Sequence, residues 1–185
     1  MPSRLLADTC AALKLAALGE KIFKAGLLAS GDLILHPLLF QETKKWTPER
    51  KKRFDKEFAV LAKVSFAVNL RPPKEKLEAM LEAISMAQDA VGRRIGRVDS
   101  EILAAVLCDG NMGLVTNDIA LGIVAEDGLA VAVSMAEDII CEALVAGCVT
   151  TQEVEALLKR WQSTGDTLAP GYDKKLGELG VKIPK

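Results

Sequence analysis

Asp8 and Asp118 each close a short apolar run and open a helix-forming one, a position where a carboxylate can do chemistry. The first unit reads Arg4-Leu5-Leu6-Ala7-Asp8-Thr9 and leads into Cys10-Ala11-Ala12-Leu13-Lys14-Leu15-Ala16. The second reads Gly113-Leu114-Val115-Thr116-Asn117-Asp118 and leads into Ile119-Ala120-Leu121-Gly122-Ile123-Val124-Ala125. In an open α/β sheet, ligands and reacting groups collect outside the carboxyl ends of the strands. Two acids far apart in sequence can therefore share one small volume there. Carboxylates grouped without histidine or thiolate suit hard divalent cations such as Mg²⁺ or Mn²⁺. Such ions activate water and neutralise charge on a scissile phosphate.

Two further acids extend the pair. Glu42 follows Leu33-Ile34-Leu35-His36-Pro37, a strand running into a helix whose first position suits proline. Asp99 heads the helix-forming run Ser100-Glu101-Ile102-Leu103-Ala104-Ala105-Val106-Leu107, which feeds the strand before Asp118. Taken singly, Asp8, Asp99 and Asp118 read equally well as helix N-caps. Glu42 is different, because Leu38 and Leu39 lie one turn before it on the side expected to be buried. An inward carboxylate needs a partner, and a cation shared among acids supplies one. A Glu42 turned to solvent, far from Asp8 and Asp118, would remove the argument.

In this order the motifs resemble the PIN-domain ribonucleases, which include the VapC-type toxins of toxin–antitoxin pairs. The matching pieces are Leu5-Leu6-Ala7-Asp8-Thr9, His36-Pro37-Leu38-Leu39-Phe40-Gln41-Glu42, Asp99-Ser100-Glu101-Ile102-Leu103-Ala104-Ala105 and Leu114-Val115-Thr116-Asn117-Asp118. The Asp127-Gly128-Leu129 turn and a Val131–Val133 strand are similar to the family's closing unit, and the match spans roughly residues 1–150. The resemblance implies that Asp8, Glu42, Asp99 and Asp118 hold one or two Mg²⁺ or Mn²⁺ ions that direct water onto an RNA phosphodiester, leaving a 5′-phosphate. It implies that Thr116 and Asn117 help to orient the fourth acid or the water, and places Thr9 beside the first acid. Glu101 is a second candidate for the third ligand. A protein antitoxin or a second copy of the chain, giving a dimer, would fit an apolar groove between helices around Trp46–Lys63 and Lys74–Val91. Other readings on the same fold are a PIN-like module that binds RNA or protein without cutting, a housekeeping RNA-processing nuclease, and a phosphohydrolase or DNA nuclease using the same cluster.

Basic residues flank the acids. Lys44, Lys45, Arg50, Lys51, Lys52, Arg53 and Lys56 follow Glu42, and Arg93, Arg94 and Arg97 precede Asp99. They have the right sign for a phosphate backbone, yet Glu49, Asp55 and Glu57 are interleaved, which also describes a solvated helix face. Trp46 and Trp161 are base-stacking candidates, or core anchors in a chain poor in aromatics. The glycines at 92, 96 and 122 lack phosphate-loop spacing.

The elements that must position these residues follow from composition. The 185 residues are 50% hydrophobic but only 4% aromatic, so Leu, Ala, Val and Ile must build the core. That mixture suits helices packed on a parallel sheet. A net charge of −1 makes nucleic-acid binding a matter of local patches. Cys10, Cys108, Cys141 and Cys148 form no C-x-x-C pair and His36 is the only histidine, so a zinc site and a His-based nucleophile are poorly supported. Met1-Pro2-Ser3-Arg4 does not open a signal peptide, and the apolar stretch from Ile119 to Val149 is broken by Glu126, Asp127, Glu137, Asp138 and Glu142. The expectation is a cytoplasmic protein without membrane spans.

The predicted fold is α/β: a three-layer α/β/α, PIN-like arrangement with a short, mostly parallel sheet of four or five strands. Residues 1–165 form the domain, with an enlarged helical middle at 46–97 and a C-terminal tail at 166–185 carrying a short helix. Helices are predicted from Thr9 to Lys24, from Pro37 to Trp46, from Pro48 to Lys63 with Thr47 as cap, and from Lys74 to Val91. A helix ending at Glu126 precedes a Leu129–Val133 strand, and Ser134-Met135-Ala136-Glu137 reads as a capping box. Val64–Val68 is either a strand or more helix.

Overall fold

The computed structural model describes residues 2–64 and 72–184. Most of the Val64–Val68 segment lies outside them. Four strands make an all-parallel sheet in the order β2-β1-β3-β4: β1 Arg4–Ala7, β2 Asp32–Leu35, β3 Met112–Val115 and β4 Val133–Ser134. Between and after them come α1 Thr9–Ala16, α2 Leu38–Lys44, α3 Pro48–Arg53, α4 Asp55–Leu61, α5 Lys74–Val91, α6 Arg97–Asp109, α7 Ile119–Leu129, α8 Ala136–Val145, α9 Thr151–Thr164 and α10 Tyr172–Glu178. Helices cover both faces, giving three layers.

Strand alternation builds the two cores. Leu5, Ala7, Leu33, Leu35 and Val115 face one way and pack with α1, α4, α8 and α9 through Ala12, Leu15, Leu61, Ile140, Leu157 and Trp161. Leu6, Met112 and Leu114 face the other way and pack with α5, α6 and α7 through Ile84, Leu103, Leu121 and Val124. The segment after 165 belongs to the first core, since Leu176 and Val181 are buried within it. Among the described residues no helix is long and apolar enough to cross a membrane.

Local physics moved several boundaries. α1 stops at Ala16; Gly19, at φ 85°, turns the chain into a 3₁₀ turn over Glu20–Phe23. The predicted Pro48–Lys63 helix is two, broken at Phe54, whose ring meets Trp46 at 5.7 Å. Thr47 caps the first of them by accepting the Arg50 N–H at 3.3 Å. Asp127-Gly128-Leu129 is not a turn but the end of α7. Gly128 serves close packing instead: a Cβ there would come within 2.9 Å of the Ala87 Cβ on α5. The helix ends two residues later on Ala130 in the left-handed region, with the Val131 N–H bonded to the Ala125 carbonyl at 2.9 Å. Only Val133–Ser134 remain as strand. α6 likewise begins earlier than expected, at Arg97, so Asp99 lies within its first turn rather than ahead of it.

Candidate carboxylate centre

Asp8 stands directly after β1, an interior strand of the sheet, and its two oxygens do different things. One caps α1 by accepting the Ala11 N–H at 2.6 Å. The other accepts the hydroxyl of Thr116, which follows β3 on the neighbouring strand. The same Thr116 oxygen accepts the Asp118 N–H at 3.0 Å, and the Asp118 carboxylate caps α7 through the Leu121 N–H at 2.9 Å. Capping and clustering are therefore compatible. The helix ends that Asp8 and Asp118 cap lie side by side at the carboxyl end of the two interior strands.

Glu42 and Asp99 complete the set. Glu42 is half-buried and accepts the hydroxyl of Thr9, the residue next to Asp8. It is thus turned inward, as the α2 pattern of buried Leu38 and Leu39 requires. Asp99 accepts the Gly96 N–H at 3.2 Å, closing the N-terminus of α6. Glu101 lies further along that helix, 3.0 Å from the Arg97 guanidinium. Glu101 lines a different cavity, with His36, Leu77 and Leu81.

The acids feel one another. Burial pushes the Asp8 carboxyl up to about 7; hydrogen bonds from Thr116 and Ala11 pull against that, and the charges of Asp99 and Asp118 add to it. Asp99 is also raised, by burial first and then by Glu42 and Asp118. Desolvation, together with Asp8 and Glu42, pushes the Cys10 thiol up to about 12. Without a bound cation, Cys10 is therefore a neutral thiol at physiological pH.

Among the described residues no three of these groups already form a metal-binding cage. The set is gathered at the range of Coulombic coupling rather than of shared ligation. The donor chemistry nonetheless fits a hard dication: carboxylates and threonine hydroxyls with no histidine among them, and a buried acid whose ionisation a positive charge would restore.

The supporting residues have separate tasks. Thr116 orients Asp8, and Thr9 orients Glu42. Asn117 faces away from the acids: its oxygen accepts the Ala136 N–H at 3.1 Å and its nitrogen donates to Glu137 at 2.5 Å. Sequence reasoning missed Glu137, which is 0% exposed. The box it was assigned to is closed by Asp138 instead, which takes the Met135 N–H at 3.1 Å. The available signal was one acid in an otherwise apolar helix face, with Ala136, Ile139, Ile140 and Ala143 around it.

The surrounding charges are mixed. The Arg50 guanidinium lies 3.7 Å from the Trp46 ring centroid, on the side of the centre where Cys10 and Glu42 sit. Trp46 also packs on Phe54 and Phe58, and Trp161 is buried with its indole N–H on the Lys14 carbonyl at 3.2 Å, so both tryptophans are anchors. Glu57 is not on a solvated face; it is buried and takes both Nε and Nη2 of Arg160, at 2.6 and 2.8 Å. Beside Asp118 a groove of about 450 Å³ runs past Cys10, Ile119 and Met135 to the 165–170 segment. His36, at the end of β2, is buried, and its Nδ1 accepts the Leu38 N–H at 3.1 Å.

Comparison with models of known families, with curated proteins and with solved structures returns no match for this chain.

Proposed function

We propose that this chain is a divalent-metal-dependent endoribonuclease acting as the toxin of a type II toxin–antitoxin pair. The observation that carries the reading is that Asp8, Glu42, Asp99 and Asp118, from four separate segments, lie at one end of the sheet within Coulombic range of one another, around an Asp8 that burial above all raises to about 7. Uncompensated like charges in a buried spot are unfavourable, so a fold that assembles them favours a positive occupant.

In this reading the four carboxylates hold Mg²⁺ or Mn²⁺. When bound, the ion supplies Lewis-acid activation of water and neutralises charge at a phosphodiester. Thr116 keeps one Asp8 oxygen in place across the β1–β3 pair, and Thr9 does the same for Glu42. Arg50 and the exposed Lys44, Lys45, Lys51 and Lys52 are suited to an anionic backbone near the centre. The groove beside Asp118 gives an extended strand a path along it, with the exposed Ile119 at its mouth. A second cavity of about 500 Å³, lined by Leu38, Pro72, Leu77 and Leu81 with Lys74, Arg97 and Glu101, is suited to an apolar antitoxin segment.

The test is cleavage of RNA, DNA and small phosphate esters by the parent, Asp8→Asn and Asp118→Asn with Mn²⁺, with folding followed by circular dichroism. Loss of RNA cleavage in folded variants supports the nuclease. A parent that binds RNA but cuts nothing, even with Mn²⁺, overturns it in favour of a binding module. A small antitoxin reading frame beside the gene separates a toxin from a processing nuclease.

A further inference from the structure

Glu137 is the most deeply buried charged side chain among the described residues, at 0% exposure. Its Oε1 accepts the Lys14 ammonium at 3.3 Å and the Ala169 N–H at 3.2 Å, and its Oε2 accepts the Asn117 amide at 2.5 Å. Lys14, itself nearly buried, would balance the charge alone. The Asn117 contact is the informative one. With its oxygen on the Ala136 N–H and its nitrogen on Glu137, the amide is fixed in one orientation. On either side of Asn117 sit Thr116, which holds Asp8, and Asp118.

We propose that Glu137 is a positioning residue of the carboxylate centre, fixing the Thr116–Asp118 loop through Asn117 and so the relative placement of Asp8 and Asp118. This rests on reading the centre as a metal site. Partners that hold ligand-bearing groups from behind typically change metal affinity by roughly 10–100-fold when altered. The hydrogen-bond pattern makes the role reversible. In Glu137→Gln, one carboxylate oxygen becomes an NH₂, and a donor then faces a donor at Lys14 and Ala169 or at Asn117. Adding Asn117→Asp restores a donor–acceptor match at every contact: the new amide donates to the new carboxylate, whose other oxygen still takes the Ala136 N–H.

The experiment compares the parent, Glu137→Gln, Asn117→Ala and the Glu137→Gln/Asn117→Asp pair. It reads amide hydrogen exchange of Asp118 against strand amides such as Leu6 in metal-free protein, and Mn²⁺ affinity by electron paramagnetic resonance. Asp118 exchange is expected to quicken about 10-fold relative to the strand in Glu137→Gln and Asn117→Ala. Mn²⁺ affinity should fall about 10-fold or more in both, and the exchanged pair should recover both readouts. Unchanged Asp118 exchange in folded single variants, a uniform rise across all amides, or no recovery in the pair would overturn the assignment. If the parent binds no Mn²⁺, the nuclease reading fails while the exchange comparison still decides the role of Glu137. If Glu137→Gln does not fold, Asn117→Ala, which leaves Glu137 its other two partners, decides by the same readouts.

Discussion

Thr116 donates its hydroxyl proton to Asp8 across the β1–β3 pairing, and the same oxygen receives the Asp118 N–H at 3.0 Å. Two acids at the ends of neighbouring strands are thereby tied through one buried side chain. Thr116→Val keeps the shape and removes both bonds. It should cost about 1–3 kcal/mol, the usual penalty for stranding a buried polar group, seen as a lower Tm. The Asp8 carboxyl should titrate higher still, since the hydrogen bond that favours its charged form is gone.

The pH dependence has an unusual sign. Asp8 rises from 3.8 unfolded to about 7 folded, and Asp99 is raised as well. Between those values the folded state binds more protons than the unfolded one, so this contribution to stability falls as pH rises. Asp138 and Glu153, both lowered, act oppositely but only below the ordinary carboxylate range. Metal-free protein should therefore have a higher Tm at about pH 5 than at about pH 8, and Asp8→Asn should flatten that slope. A saturating divalent ion should reverse it. A parent and an Asp8→Asn variant with identical pH profiles would show that Asp8 is ionised throughout.

Glu42, Asp99 and Glu101 should separate cleanly. Glu42→Gln and Asp99→Asn are expected to lower RNA cleavage by on the order of 10²-fold or more, the scale of several kcal/mol of lost charge stabilisation. Glu101→Gln, which disturbs only the exposed pair with Arg97, should stay within about 2-fold of the parent, since exposed pairs contribute about 1 kcal/mol or less. Single-turnover rates on one RNA substrate make the comparison.

Glu57 and Arg160 predict a purely structural effect. The paired hydrogen bonds join α4 to α9 and leave Glu57 buried. Glu57→Ala strands the guanidinium and should cost about 2–3 kcal/mol, discounted because Arg160 is partly exposed. Thermal melting should register it, with Mn²⁺ affinity unchanged.

What the sequence revealed follows the range of the physics. The first three strands, the Asp8 and Asp118 junctions and the Thr47 cap are encoded within a few residues, and they lie where the local pattern places them; the fourth strand does not, being Val133–Ser134 rather than Leu129–Val133. The inward turn of Glu42 was legible from Leu38 and Leu39. Glu137 was not, because its partners Lys14, Asn117 and Ala169 come from three distant segments and only the fold unites them. The end of α7 was misread for a similar reason: Gly128 looks like a stop signal locally, and only contact with Ala87 explains it.

The β1–β3 register, Arg4 beside Met112 through Ala7 beside Val115, joins the beginning of the chain to its middle. The strand before Asp8 must wait for about a hundred further residues before it finds this neighbour, and such remote pairings fold slowly. Products of premature termination before Thr116 would carry Asp8 without the hydroxyl that holds it. Any activity of the acids would thus belong only to chains that extend through Asp118.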